Sequence, residues 1–246
     1  MGFIRTLATI VFVLALPIAL VTTNIRLLAN APFVYSYSFD RYDAENVTGL
    51  SRADLDGTAS ALRGYFNNDE KTFFHPVTDG GLQVPVFNAR ETRHMEDVKR
   101  LFVQVNRAQE ISVVYALLYV VAFFIWARDG NVRQLAAQCL AGLGIGVLFV
   151  GGVAIFAAFG FEAAFNRFHE VLFTNDFWQL NPAHDHLVQM FPEGFWRDMT
   201  IVLGALSAAE ALLIGAASIV YLMGSRSERR HLASALDVKN SSTQAA

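Results

Sequence analysis

Two histidines lie on predicted helices beside groups that can tune an imidazole for proton transfer. His94 falls in the apolar stripe of a helix predicted over residues 88–105. By helical geometry, Glu91 and Asp97 lie about 60° to either side of it. His169 lies at the edge of an aromatic helical face. With a pKa of about 6.5, an imidazole can accept and donate protons near neutral pH. The alternative for each residue is a structural histidine packed in a core.

A second group of possible ligands consists of His184 and His186, which flank Asp185. A His-x-His pair without further fixed ligands is weak evidence for a metal site. A solvated loop is therefore favoured, and neither a metal nor another cofactor is predicted. The alternative is a metal-dependent membrane hydrolase in which His94, His169 and nearby carboxylates are the ligands.

Four apolar stretches are long enough to place these residues at a membrane. The chain has 54% hydrophobic and 17% charged residues, whereas soluble domains carry about 25% charged residues. A membrane helix needs about 20 mostly apolar residues, and the sequence offers residues 1–29, 108–127, 134–160 and 199–223. The predicted fold is therefore an all-α membrane protein with four transmembrane helices. A cleaved signal peptide is the alternative for the first stretch, but Pro32 after the possible cleavage site disfavours it.

Basic residues in the short flanks predict the orientation of these helices. Lys and Arg concentrate on the cytoplasmic side of membrane helices, and the flanks contain Arg5, Arg128, Arg133, Arg226, Arg229 and Arg230. Both termini, including the tail over residues 224–246, are therefore predicted to be cytoplasmic. Residues 30–107 and 161–198 are then extracellular.

The first outer segment, residues 30–107, is too long for a plain loop and should form a small mixed extracellular cap. Alternation of aromatic with small or polar residues over part of 33–39 favours a short strand or an extended stretch. Residues 51–66 have a helical pattern with a serine at the start, and the Pro and Gly residues over 73–87 predict a hairpin. A capping box that starts at Asn88 begins the next helix.

The second outer segment, residues 161–198, begins with a predicted amphipathic helix. Its apolar face carries Phe161, Phe165, Phe168 and Leu172. Aromatic side chains gather at membrane interfaces because their rings are amphipathic. The many aromatic residues of this segment therefore indicate contact with lipid, whether or not the segment takes part in catalysis.

Several other classes of function are disfavoured. The formal net charge is −3 and no basic tract is present, so a nucleic-acid partner is not predicted. Cys139 is the only cysteine and cannot form an intrachain disulfide. The spans contain few charges, which disfavours a transporter. Two roles stay open for the intramembrane Glu210, a functional one and a structural hydrogen bond.

Two stretches of the chain have longer motifs. The first is His94-Met-Glu-Asp97-Val-Lys99, and the second extends over residues 168–182 and continues over residues 189–196. They resemble the His-Met-x-Asp-Val-Lys element and the second element of a bacterial four-helix membrane family that includes the lipoprotein intramolecular transacylase Lit. The resemblance extends from the first span to the fourth.

The resemblance implies a four-helix membrane body with an extracellular cap in a bacterial plasma membrane. The implied reaction moves an acyl chain from the sn-2 glyceryl ester of a diacylglyceryl-cysteine lipoprotein to the amine of the same cysteine, which gives a lyso-form lipoprotein. His94 and His169 are the implied acid/base pair. The implied supporting residues are Glu91 or Asp97 beside His94, Asn175 at the oxyanion, Asp176 at a histidine or the substrate ammonium, and Trp178 in the aromatic surroundings.

The expected partners are therefore a diacylglyceryl lipoprotein or a related lipid substrate, together with membrane lipids. A second alternative is a non-enzymatic membrane module that holds a partner through its cap. The mechanistic expectation requires that His94 and His169 converge in the fold.

Overall fold

The computed structural model of the protein describes residues 2–79, 81–126 and 132–244 and is mainly helical. Its elements in chain order are α1 (Gly2–Asn30), α2 (Pro32–Arg41), α3 (Ala44–Thr48), α4 (Arg52–Phe66), β1 (Pro76–Asp79), β2 (Leu82–Pro85), α5 (Ala89–Trp126), α6 (Val132–Phe159), α7 (Phe161–Leu172), α8 (His186–Met190) and α9 (Glu193–Gln244). Arg128, used above to predict orientation, lies outside the described residues.

The predicted four-span membrane fold is confirmed. Within the described residues, the helical segments that are long and apolar enough to cross a bilayer are Gly2–Asn30, Ala89–Ile125, Val132–Ala157 and Glu193–Ser225. Glu210 lies within the last of them.

The second and fourth spans are parts of longer helices. Helix α5 has 38 residues, which at about 1.5 Å per residue is far more than a hydrocarbon core of about 30 Å requires. Its charged residues end at Glu110, so the spanning part is the apolar stretch that follows. The N-terminal part of α5, which includes His94, therefore lies outside the spanning part. Helix α9 likewise begins before the span predicted at residue 199.

The chain divides into two compact units. The helical unit contains residues 1–20, 111–149 and 207–246, and the mixed unit contains residues 21–110 and 150–206. Each is described by itself below.

Polar side chains connect helices α1, α5 and α6 within the helical unit. The Tyr119 hydroxyl lies 3.0 Å from Thr9 Oγ1 and donates to Gln138 Oε1 over 3.1 Å. The Gln138 amide in turn donates to Thr9 Oγ1 over 3.2 Å. Hydrogen bonds between helices satisfy polar groups that hydrocarbon cannot, so this network joins the three helices.

An aromatic core stabilises the mixed unit. The Phe191 ring lies 5.8 Å from the Tyr35 ring and 5.9 Å from the Phe39 ring. Ser38 donates a hydrogen bond of 2.6 Å to the carbonyl oxygen of Met190. These contacts bind α2 to the segment around α8.

The strand or extended stretch predicted over residues 33–39 is wrong, because this segment belongs to helix α2. Pro32 stands at the first helical position, where its fixed φ favours a helix and its missing N–H costs nothing. The buried residues of α2 are Val34, Tyr35, Ser38 and Phe39. Their spacing is that of a helix face, and the short alternation in the sequence concealed it.

The other predicted cap elements are confirmed. Ser51 Oγ accepts the Asp54 N–H over 3.2 Å at the start of α4. Strands β1 and β2 form an antiparallel hairpin in which Val77 faces Val84. The cap elements thus follow the local sequence signals of serine at a helix start and Pro and Gly around a hairpin.

Candidate active site

The fold brings His94 and His169 together within the mixed unit. His94 comes from α5 and His169 from α7, and their ring centroids are 5.9 Å apart with the planes inclined by 39°. Each residue is only 7% exposed. The expected convergence of the two imidazoles is therefore present in the structure.

Aromatic rings surround the two imidazoles. The Trp178 ring stacks on His169 at 5.0 Å and 28°, and the Phe165 ring lies 4.2 Å from His169. Phe173 contacts both imidazoles, with its centroid 5.3 Å from His94 and 5.6 Å from His169. Phe173 was not among the predicted site residues, although its place four residues after His169 in an aromatic segment was a usable signal.

A backbone hydrogen bond determines the tautomer of His169. Its Nδ1 lies 2.7 Å from the carbonyl oxygen of Phe165, one helical turn earlier. Because a carbonyl oxygen only accepts hydrogen bonds, Nδ1 carries the proton and Nε2 of the neutral ring is a free base. Burial lowers the pKa of His169, and the bond to Phe165 partly opposes this.

His94 is held as a neutral imidazole. Burial is the largest cause that lowers its pKa, followed by repulsion from His169, and together they bring the pKa to about 4 while Asp97 opposes them. Nδ1 of His94 is buried and has no hydrogen-bond partner among the residues that the structure describes. This nitrogen therefore has a hydrogen-bonding capacity that no described protein group uses.

Asp97 anchors the loop that follows α7. One carboxylate oxygen accepts a 2.8 Å hydrogen bond from the Asn175 amide, and the other pairs with Arg100. The Asn175 side-chain oxygen accepts the N–H of Phe177 over 3.1 Å. Asp97 and Asn175 thus hold the aromatic loop over residues 173–178. Arg100 was missed in the sequence, although its i,i+3 spacing from Asp97 favours a pair.

Glu91 is a buried carboxylate with two backbone donors. It is 1% exposed, and it accepts the N–H of Asn88 over 2.8 Å and the N–H of Leu187 over 2.6 Å. Asn88 Oδ1 also accepts the Glu91 N–H over 3.1 Å, which confirms the capping box. Burial is the largest influence on the Glu91 pKa and raises it, whereas the two backbone bonds oppose that rise. Glu91 therefore connects the start of α5 to the start of α8.

Asp176 points toward solvent. Its side chain is 69% exposed, and its carboxylate lies 3.4 Å from the Arg90 guanidinium. Arg90 also donates a hydrogen bond to the backbone oxygen of Asp176. This pair fixes the loop from outside, and Arg90 was not predicted.

The histidines around Asp185 make separate contacts. His184 Nδ1 lies 2.8 Å from the Asp185 carboxylate, and His186 Nδ1 lies 2.8 Å from the backbone oxygen of Val86. Within the part of the chain that the structure describes, no group of three or more His, Cys, Asp or Glu residues is arranged to hold a metal ion.

A family model matches most of the chain. The model of the family described as lipoprotein intramolecular transacylase Lit matches residues 10–196. This chain belongs to the Lit family. The match includes both Lit-like sequence elements, so the resemblance predicted from them is confirmed.

The fold is similar to solved structures of Lit. The membrane-integral lipoprotein intramolecular transacylase Lit of Bacillus cereus superimposes with a TM-score of 0.74 at 18% identity, covering 93% of this chain and all of that chain. A variant of the same protein, with one histidine replaced by arginine, gives a TM-score of 0.71 at 16% identity, over 93% of this chain and 96% of that chain.

A curated relative is an uncharacterized protein of Aquifex aeolicus strain VF5. It is 29% identical to this chain over 130 residues, which are 52% of this chain and 54% of that protein. The match thus spans about half the length of that relative.

Proposed function

We propose that the chain is a lipoprotein intramolecular transacylase that acts at the outer face of a bacterial plasma membrane. Its substrate is a diacylglyceryl-cysteine lipoprotein or a related lipid, and its product is the lyso-form lipoprotein. The observation that carries the proposal is the 5.9 Å approach of two nearly buried imidazoles, His94 and His169, among aromatic rings. Membership of the Lit family supports the same chemistry.

The proposed reaction joins the neutral amine of the cysteine to the carbonyl carbon of the sn-2 ester. A C–N bond forms and the amine loses a proton, and then the C–O bond to the glyceryl oxygen breaks while that oxygen gains a proton. Atoms and protons therefore balance within one substrate molecule. The protein has to supply a base that takes the proton and then returns it.

His169 fits the role of this base, since its Nδ1 donates to the carbonyl oxygen of Phe165 and Nε2 of the neutral ring is then unprotonated. Nε2 takes the proton from the attacking amine, and the imidazolium returns it to the departing glyceryl oxygen. His94 is neutral at physiological pH because its pKa is about 4. Its N–H therefore suits a hydrogen bond to the oxyanion of the tetrahedral intermediate better than proton transfer.

The aromatic surroundings support the reaction in two ways. Phe165, Phe173 and Trp178 exclude water, which disfavours the ammonium form of the substrate and leaves more of the nucleophilic amine. They also restrict the substrate to folded conformations in which amine and ester approach each other. Such positioning can supply a large part of a rate enhancement.

The proposed orientation depends on the basic flanks of the spans. Arg5 precedes the first span, Arg133 opens the third, and the tail after the fourth holds three further arginines. A positive cytoplasmic side places both termini inside and residues 30–107 and 161–198 outside.

The test uses purified protein in nanodiscs with a synthetic diacylglyceryl lipopeptide. Because the product is an isomer of the substrate, we expect the intact mass to stay unchanged. The cysteine amine should no longer react with an acylating reagent, and tandem mass spectrometry should show an N-acyl cysteine fragment. A mixture of lipopeptides with light and deuterated sn-2 chains should show no exchange of chains. Loss of one acyl mass would instead indicate a hydrolase.

Variants connect this activity to the two imidazoles. His169→Ala should lower the rate by about 100- to 10,000-fold, the range typical of a lost general base, and His94→Ala should lower it strongly as well. His184→Ala is the matched control, because His184 is exposed and contacts Asp185. Full transfer by both site variants, or no transfer while a known transacylase works in the same assay, contradicts the proposal.

A further inference from the structure

Helix α7 has an apolar edge that the rest of the mixed unit leaves uncovered. His169 is buried on this helix, but Phe168 is 51% exposed and Leu172 is 42% exposed. At about 100° per residue, both lie on the side of the helix that also carries Phe161 and Phe165. An apolar strip therefore runs beside the buried histidine along the whole helix.

The opposite side of α7 is polar and solvated. Arg167 and Glu170 form an ion pair of 2.9 Å there, with side chains 67% and 52% exposed. Helix α7 thus combines a charged side with an aromatic side, the pattern of helices that lie in a membrane interface.

The chain leads into α7 directly from a membrane helix. Helix α6 ends at Phe159, and Gly160, with a non-helical ψ of 97°, interrupts the helix before α7 begins. The last turns of α6 expose Val153, Ile155 and Phe156 by 47%, 62% and 54%, as expected for a helix in contact with lipid. Continuity with this span identifies the bilayer as the partner that covers the apolar edge of α7.

We propose that α7 lies along the lipid–water boundary of the bilayer, with Phe168 and Leu172 in hydrocarbon and the Arg167–Glu170 pair in water. Interfacial helices insert their apolar side about 5–10 Å into this boundary. If the proposed function holds, this depth also brings His169 to the level of the glyceryl esters of the substrate. The lipid contact itself requires no catalysis.

The test measures the depth of single labels on α7 in nanodiscs of phosphatidylcholine and phosphatidylglycerol. A nitroxide is attached to Phe168→Cys, Leu172→Cys, Arg167→Cys or Glu170→Cys in a full chain that carries Cys139→Ala. Collisions with oxygen, which concentrates in hydrocarbon, are compared with collisions with a nickel chelate, which stays in water. We expect a several-fold higher ratio of oxygen to nickel collisions at positions 168 and 172 than at 167 and 170.

Equal nickel access at all four positions would overturn the proposal, since the apolar edge would then face water. Weak access of both reagents to positions 168 and 172 would also overturn it, because protein would cover the edge. If Phe168→Cys does not fold, position 172 against position 170 decides the result. The measurement does not depend on acyl transfer, so its failure and the failure of the proposed function are separate outcomes.

Discussion

The carboxylate of Asp97 and the side-chain amide of Asn175 are 2.8 Å apart, although they belong to different segments of the chain. Arg100 occupies the second carboxylate oxygen, and the N–H of Phe177 occupies the Asn175 oxygen. Trp178, which follows Phe177, stacks on His169. Asp97 therefore contributes to the site through the position of the aromatic loop.

We predict that Asp97→Ala and Asn175→Ala lower acyl transfer by similar factors and that the double variant is little worse than either. Both remove the same bond, and a hydrogen bond to a charged group contributes about 1.5–3 kcal/mol, roughly a 10- to 100-fold effect on rate. A double-mutant cycle on kcat measures the coupling. Asp56→Ala, in an exposed ion pair with Arg52, is the control. Additive losses would show that Asp97 and Asn175 act independently.

The stack of Trp178 on His169 predicts a graded effect of substitution. Trp178→Ala should lower kcat by roughly two- to tenfold, because an aromatic pair contributes about 0.5–1.5 kcal/mol beyond its buried area. Trp178→Phe should retain part of the rate, since a smaller ring can still stack. Phe74→Ala removes an aromatic ring that is 69% exposed and serves as control. Equal rates for Trp178→Ala and the wild type would exclude a role for the stack.

Burial of His94 predicts loss of stability in acid. Its pKa falls from 6.5 to about 4 in the fold, so between these values the unfolded chain binds a proton that the folded chain does not. The free energy of unfolding therefore rises with pH across this window, by about 3 kcal/mol for this residue. The midpoint of thermal unfolding in detergent should drop as the pH falls from about 6.5 toward 4.

Substitution identifies the group responsible for this slope. His94→Gln should flatten the dependence of the unfolding midpoint on pH, whereas His184→Gln, at an exposed histidine, should leave it intact. An unchanged slope in His94→Gln would assign the acid sensitivity to other groups.

Substitution of Glu91 should lower the stability of the fold without changing the rate of acyl transfer. In Glu91→Gln the side chain keeps one acceptor oxygen, so the N–H of either Asn88 or Leu187 loses its partner. An unsatisfied buried donor costs about 1–3 kcal/mol. We expect a lower midpoint of thermal unfolding with normal kcat per folded molecule. Glu45→Gln, at an exposed position, is the control. A loss of kcat at full stability would point to a direct role in catalysis.

Local spacing predicted which residues share a helix face but not what they contact. Helical geometry predicted Glu91 and Asp97 on either side of His94, yet the partners that these carboxylates have in the fold, Leu187 and Asn175, come from distant segments. Contacts between segments depend on how helices pack, and no periodicity along one helix contains that information.

Signals within one or two turns were more informative. The capping box at Asn88 and the serine at the start of α4 were predicted and are present. The bond from His169 to the carbonyl of Phe165 is also local, at the spacing of one helical turn. The helix over residues 32–41 was missed because its aromatic residues alternate over too few positions to distinguish the period of a helix from that of a strand.

The space around Gly194, at the start of α9, is too small for a larger side chain. A Cβ at this position would lie 2.7 Å from Cε1 of Tyr42 and 2.8 Å from its hydroxyl, and that hydroxyl donates a 2.6 Å hydrogen bond to Asp198. Gly194→Ala should therefore displace the ring and lower the free energy of unfolding by about 1–3 kcal/mol, the usual cost of overpacking. Thermal unfolding in detergent measures this loss.

Two further variants separate the clash from a general effect of alanine at this helix. In the part of the chain that the structure describes, nothing lies within 4 Å of a Cβ built on Gly204. Gly204→Ala should therefore leave the midpoint unchanged or raise it, because alanine favours a helix by about 1 kcal/mol. In a Tyr42→Leu background the ring is absent, and Gly194→Ala should cost less than in the wild type. The same loss in both backgrounds would mean that Tyr42 is not what requires glycine at position 194.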